Sequence, residues 1–128
     1  MFKEIKYFIQ RGKRGYSDRD MWSIVNYLSK TVPSMIRKLK NTGSGCPSDL
    51  YDNKCINNEC HKWKEVLEEI AQGFECMEEI NITRFNKKVV DERGCVHFEY
   101  DEKLAEELLK KQQRGMELFS KYYNNLWD

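Results

Sequence analysis

The sequence predicts an all-α protein: a small bundle of three long helices with a short helix at its N-terminus, and a minor β-hairpin near residues 88–98. Three observations carry that prediction. Apolar residues recur at gaps of three and four along three long stretches, about 18–41, 58–80 and 101–126. Glycine, serine, aspartate and asparagine collect between those stretches. Strand-like residues are confined to Val89-Val90 and Cys95-Val96-His97-Phe98, on either side of the turn-like Asp91-Glu92-Arg93-Gly94.

Phe2, Ile5, Phe8 and Ile9 place a short amphipathic helix over residues 2–10, ending near Gly12 and expected to lie over the core as a lid. The segment Arg11-Gly12-Lys13-Arg14-Gly15 then allows a sharp change of direction. Ser17 is a good N-cap, and Asp20 three residues on suits the acidic place of a capping box. The stripe Met21, Ile24, Val25, Leu28, Val32, Met35, Ile36 and Leu39 predicts one helix over about 18–41, kinked at Pro33. Residues 43–58 read as irregular. The third helix is expected from near Asn58 or Glu59, with Trp63, Val66, Leu67, Ile70, Ala71, Phe74, Met77 and Ile80 on its apolar face. Asp101 caps the last helix, whose Leu104, Leu108, Met116, Phe119, Tyr122 and Leu126 face inward. Gly115 sits mid-helix, where alanine would be about 1 kcal/mol better, and so marks the close approach of another helix. Trp22, at the margin of its stripe, is expected to pack near Phe119 and Tyr122.

At 128 residues the chain fits one domain, 1–128, and its 40% hydrophobic content is that of a globular protein rather than a disordered one. No apolar run approaches the roughly 18 residues that span a bilayer, and Met1–Lys6 has charges inside its apolar stretch, which a signal peptide would not. No membrane and a cytoplasmic location are expected. In that reducing compartment the five cysteines are expected to be mostly free thiols or metal ligands, with a Cys46–Cys55 or Cys46–Cys60 disulfide forming only after oxidation. Charge is uneven. Residues 1–40 hold ten Lys/Arg against three Asp/Glu, and residues 41–128 hold twelve against eighteen, so +7 stands opposite −6. That split predicts attraction across the bundle, or a basic face for phosphate or an acidic partner. Nucleic acid is not expected, because the basic residues are not interleaved with aromatics as single-strand binders require.

Cys46, Cys55, Cys60 and His61 are four soft ligands within one short stretch, a candidate zinc site. Their gaps of eight and four are wider than the usual knuckle, and Cys60 and His61 are adjacent. Glu75-x-x-Glu78 and Glu99-x-x-Glu102 loosely resemble the paired acids with which MazG-type nucleotide pyrophosphohydrolases hold magnesium. The second pair lacks that family's aspartate and straddles a helix start. Glutamates on a helix face are usually there for solvation. No catalytic residue is assigned.

Arg14-Gly15-Tyr16-Ser17-Asp18-Arg19-Asp20-Met21-Trp22-Ser23-Ile24, with Tyr27-Leu28 and Pro33, resembles the opening of a family of small helical proteins encoded in bacteriophage genomes. The ending from Gly115 through Glu117-Leu118-Phe119 to Asn125-Leu126-Trp127-Asp128 is similar to the same family's C-terminus, and Cys46–Leu50 and Trp63–Ile70 to its middle. Relatives have a shorter connection where this chain runs from Tyr51 to Cys60. The resemblance implies an origin in a phage and a place in the host cytoplasm. The arginines and aromatics of the two end blocks, Arg14, Tyr16, Arg19, Trp22 and Trp127, are the candidate binding residues. A binding protein acting on a host protein is the leading expectation. Capture of a small nucleotide ligand through Arg11, Lys13, Arg14 and Arg19, with or without hydrolysis, is the alternative, and a minor virion component is a third.

Overall fold

The computed structural model describes residues 1–53, 55 and 60–127. Its elements run α1 (Phe2–Arg14), α2 (Asp18–Trp22), α3 (Ile24–Thr42), α4 (His61–Thr83), β1 (Asn86–Val90), β2 (Val96–Tyr100) and α5 (Glu102–Lys121), with a 3-10 turn at Tyr123–Asn125. The fold is mostly α with one small antiparallel hairpin, as the periodicity predicts. The expected start of the third helix at Asn58 or Glu59 lies outside the described residues.

The organising element is α4. It buries residues on two sides, Trp63, Val66, Leu67, Ile70, Ala71, Phe74, Cys76 and Met77 among them, and packs against both α3 and α5. Val32 and Ile36 of α3 meet it on one side, and Leu118 and Tyr122 meet it on the other. On the α5 side the two backbones touch. A Cβ built on Gly115 would stand 2.6 Å from the Gly73 Cα and 3.1 Å from the Glu69 carbonyl oxygen. Gly115 therefore does mark a close crossing, and its partner is a second glycine.

Three sequence expectations are corrected here. First, residues 18–41 do not form one helix. Ser23 leaves the helical region (φ −145°, ψ 87°) and its hydroxyl accepts from the Asn26 amide at 3.3 Å, so it caps a new helix. The Ser17–Asp20 capping box is formed as expected, but the short α2 that it starts ends at Trp22. Pro33 sits inside α3, which continues to Thr42. Second, Trp22 does not pack near Phe119 and Tyr122: the break at Ser23 turns it outward, leaving it 85% exposed. Trp63 takes the aromatic place against Tyr122, ring centroids 5.4 Å apart and edge to face, and Phe74 meets Phe119 at 5.1 Å. Third, α1 is no lid. It runs to Arg14 rather than Gly12, closes on the left-handed Gly15, and buries none of its residues.

The hairpin pairs Asn86 with Tyr100 through Val90 with Val96. Asp91 shapes its turn, the carboxylate accepting from the Arg93 and Cys95 amides at 2.9 and 2.8 Å. Gly94 supplies the positive φ of 77° that the turn needs. All five residues of β2 are exposed, so the ribbon stands away from the helices.

Part of the charge asymmetry pairs α3 with α4. Arg37 donates twice to Glu75 at 2.7 Å and once to Glu68 at 3.1 Å, and Lys40 donates to Glu68 at 2.8 Å. These partners, Lys40 first and Arg37 next, hold the Glu68 carboxyl at about 2, below its ordinary 4.5, and Arg37 holds Glu75 down as well. A depressed carboxyl contributes stability above its ordinary pKa and loses it as pH falls through the folded one. The expected result is a melting temperature that declines as pH is lowered from about 4.5 to about 2 and declines less in Arg37→Ala. Parallel pH curves for the two proteins would show that the pairs contribute nothing.

Candidate functional site

Gly15 and the capping box build a corner between α1 and α2, and six polar side chains lock it. Arg11 grips Asp20 with two hydrogen bonds at 2.8 and 2.6 Å. Gln10 accepts from the Asp18 amide at 2.9 Å and donates to its carboxylate at 2.7 Å. Arg14 pairs with Asp18, donates to the Tyr16 carbonyl at 3.0 Å and stacks 4.6 Å above the Tyr16 ring. The Tyr27 hydroxyl donates to the Gly15 carbonyl. Gln10 foremost, then Arg14, holds the Asp18 carboxyl at about 2, and Arg11 holds Asp20 well below the usual carboxylate range.

This corner has a wet side and an apolar side. A groove of about 640 Å³ opens between Arg11, Arg19, Trp22, Asn26, Tyr27 and Lys30. For a phosphate it is poorly furnished: Arg11 is taken by Asp20, and Arg19 faces Glu4 at 3.4 Å. Asp20 also lines the groove and repels an anion. The apolar side consists of Phe2, Ile5, Phe8 and Ile9, all exposed and all within roughly 120° of the α1 circumference. Lys3, Lys6, Arg11, Lys13 and Arg14 on that helix leave it at +4 after Glu4 is subtracted. Met21, Trp22, Ile24 and Val25 are further exposed apolar side chains, on α2 and at the start of α3.

The candidate binding residues fall in two places. Arg14, Tyr16, Arg19 and Trp22 belong to the corner. Trp127 does not: it lies with Leu39, Cys46, Pro47 and Trp63 beside the far end of α3, its indole N–H donating to the Asn124 carbonyl at 3.0 Å. The length of α3 separates the two places by roughly 28 Å at helical rise. Near Trp127, Tyr122 donates to the Asp49 carboxylate at 2.8 Å and Lys121 pairs with it at 3.5 Å, which fastens α5 to the loop after α3.

In that loop the sulfurs of Cys46, Cys55 and Cys60 converge within 4.8 Å of one another, with Cys46 and Cys60 in disulfide contact. His61 is not part of the group; it begins α4 and is exposed. The paired acids do not assemble. Glu75 is held by Arg37, Glu78 faces Lys30 at 3.9 Å, and Glu99 lies on β2 beside His97. Glu99 and Glu102 therefore share no helical face, and among the described residues no acidic group gathers to hold a cation. Cys76 is buried in the α4–α5 interface, where burial pushes its thiol up, away from nucleophilic use.

Sequence reasoning missed the exposure of α1 and the partner of Gly115. A signal for the first was present: Phe8 widens the apolar arc beyond a narrow lid, and the flanks are basic. Gly73 was equally visible, mid-helix like Gly115. Comparison with known proteins returned no match: no family model, no curated protein and no solved structure is similar to this chain. Among the described residues no helix is long and apolar enough to cross a membrane.

Proposed function

We propose that this chain is a non-enzymatic interaction protein of phage origin that binds a host protein in the infected cell, through the surface formed by α1, α2 and the start of α3. The observation that carries the reading is an amphipathic helix with a full apolar arc and no buried residue, with Trp22 also exposed on the neighbouring helix. Exposed contiguous apolar surface of this kind marks an interaction site, and tryptophan is among the side chains that dominate interface energetics. The flanking charge of α1 selects a partner whose apolar patch has an acidic rim. It also disfavours a second copy of this chain, because antiparallel pairing of two α1 helices sets Lys3 against Lys13. Nucleotide capture is supported less well, since the arginines of the corner are already paired with Asp18, Asp20 and Glu4.

The test is affinity capture from host lysate with the intact chain and with Phe8→Ala and Trp22→Ala. A partner retained by the parent, and weakened at least about tenfold by either change, is expected. Both variants should keep their unfolding midpoint, since exposed substitutions shift stability by less than about 0.5 kcal/mol. Equal retention by all three proteins removes the proposed surface. Concentration-dependent dimerisation abolished by Phe8→Ala, or binding to anionic vesicles with no protein retained, overturns the host-protein reading.

A further inference from the structure

The connection between α3 and α4 holds no helix or strand among its described residues, and three cysteine sulfurs meet inside it. Cys46 follows the end of α3, Cys60 is the residue that caps α4, and Cys55 lies between them. Cys60 is buried, while Cys46 and Cys55 are half-buried. We propose that Cys46, Cys55 and Cys60, in the reduced chain, form a zinc site that staples this connection and fixes the start of α4.

The convergence of a third sulfur is what carries this. A disulfide between Cys46 and Cys60 accounts for two of them and gives Cys55 no reason to be there. Tetrahedral zinc with bonds of about 2.3 Å sets its sulfur ligands roughly 3.8 Å apart. A set already within 4.8 Å reaches that arrangement by small side-chain rotations. Three thiols also suit zinc and exclude the hard cations calcium and magnesium, which take oxygen ligands. Asp52 stands beside the set, its Oδ1 accepting from the Cys55 thiol at 3.6 Å and its Oδ2 pairing with Lys62 at 3.0 Å. Among the described residues neither Asp52 nor His61, the ligand that spacing suggests, belongs to the converged group, so water takes the fourth position. On binding, each thiol releases its proton to solvent as it becomes a thiolate. Zinc and the Cys46–Cys60 disulfide exclude each other. From the oxidised chain the site forms only after a thiol reductant has delivered two electrons and two protons to that bond.

The experiment is elemental analysis of the full chain, purified under reductant without added metal, together with Cys55→Ser and His61→Ala. About one zinc per chain is expected in the parent and in His61→Ala, and less than about a tenth of that in Cys55→Ser. Cys76→Ser and Cys95→Ser should keep the metal. Should Cys55→Ser fail to fold, cobalt added to the chelator-stripped parent decides: thiolate-to-cobalt charge-transfer and tetrahedral absorption bands support the site. Their absence overturns it. Metal-free parent whose unfolding midpoint is unchanged by chelator also overturns it, as does zinc that survives Cys55→Ser or is lost with His61→Ala.

Discussion

Gly115→Ala is expected to lower stability by about 2–3 kcal/mol, although the same change on an isolated helix would raise it by about 1 kcal/mol. The sign is decided by what the new methyl group meets. Its nearest neighbours would be the Gly73 Cα at 2.6 Å and the Glu69 carbonyl oxygen at 3.1 Å, both backbone atoms held in a long helix. No side chain can rotate away, so α4 and α5 must separate, and the core beside the crossing loosens with them. Gly73→Ala meets the mirror of this contact, 2.6 Å from the Gly115 Cα and 3.0 Å from the Lys111 carbonyl oxygen. The double variant should lose less than the sum of the two, because the second methyl enters a gap the first has opened. Urea unfolding of the three proteins checks this. A Gly115→Ala midpoint equal to or above that of the parent means the helices do not cross at these glycines.

Trp63→Ala should be the most damaging of the tryptophan substitutions, at about 4 kcal/mol. Trp63 is 8% exposed and lies edge-on to Tyr122, whose hydroxyl is in turn bound to Asp49. Its removal opens a cavity where α4, α5 and the loop after α3 meet, and takes away the surface that holds Tyr122. Trp22→Ala should change stability by less than about 0.5 kcal/mol, since that ring is 85% exposed and rests on no core residue. The two variants, unfolded side by side, separate the tryptophan that builds the protein from the one offered to a partner. Equal losses would place Trp22 back in the core and remove it from the proposed surface.

The contrast between these tryptophans shows how far the sequence could be read. Apolar gaps of three and four located every long helix, because burial demands one continuous face. The Ser17–Asp20 capping box and the Asp101 cap were legible because capping is local chemistry, complete within four residues. Trp22 was misread because its position on the stripe was computed along an unbroken helix. Ser23 is a second cap of the same kind, and its use as a cap rather than as a helical residue is decided by how α2 and α3 settle on their neighbours. For the candidate site, the residues of the Arg14–Trp22 corner and the cysteine cluster were all visible, but their grouping was not. Periodicity carries no information on which helix end Trp127 reaches, nor on whether His61 turns toward the sulfurs.

By itself, then, the sequence determined what most stretches of backbone do: helix, cap, turn or ribbon. Those are properties of neighbours in the chain, set by propensity, hydrogen bonding of a few adjacent groups and the period of the apolar residues. Only the tertiary structure decided that α4 is the centre of the bundle, that α1 stands uncovered and that Gly73 meets Gly115. Each of these depends on distances between residues far apart in sequence. Apolar residues state that they favour burial, and not whether the fold has a face left to bury them against.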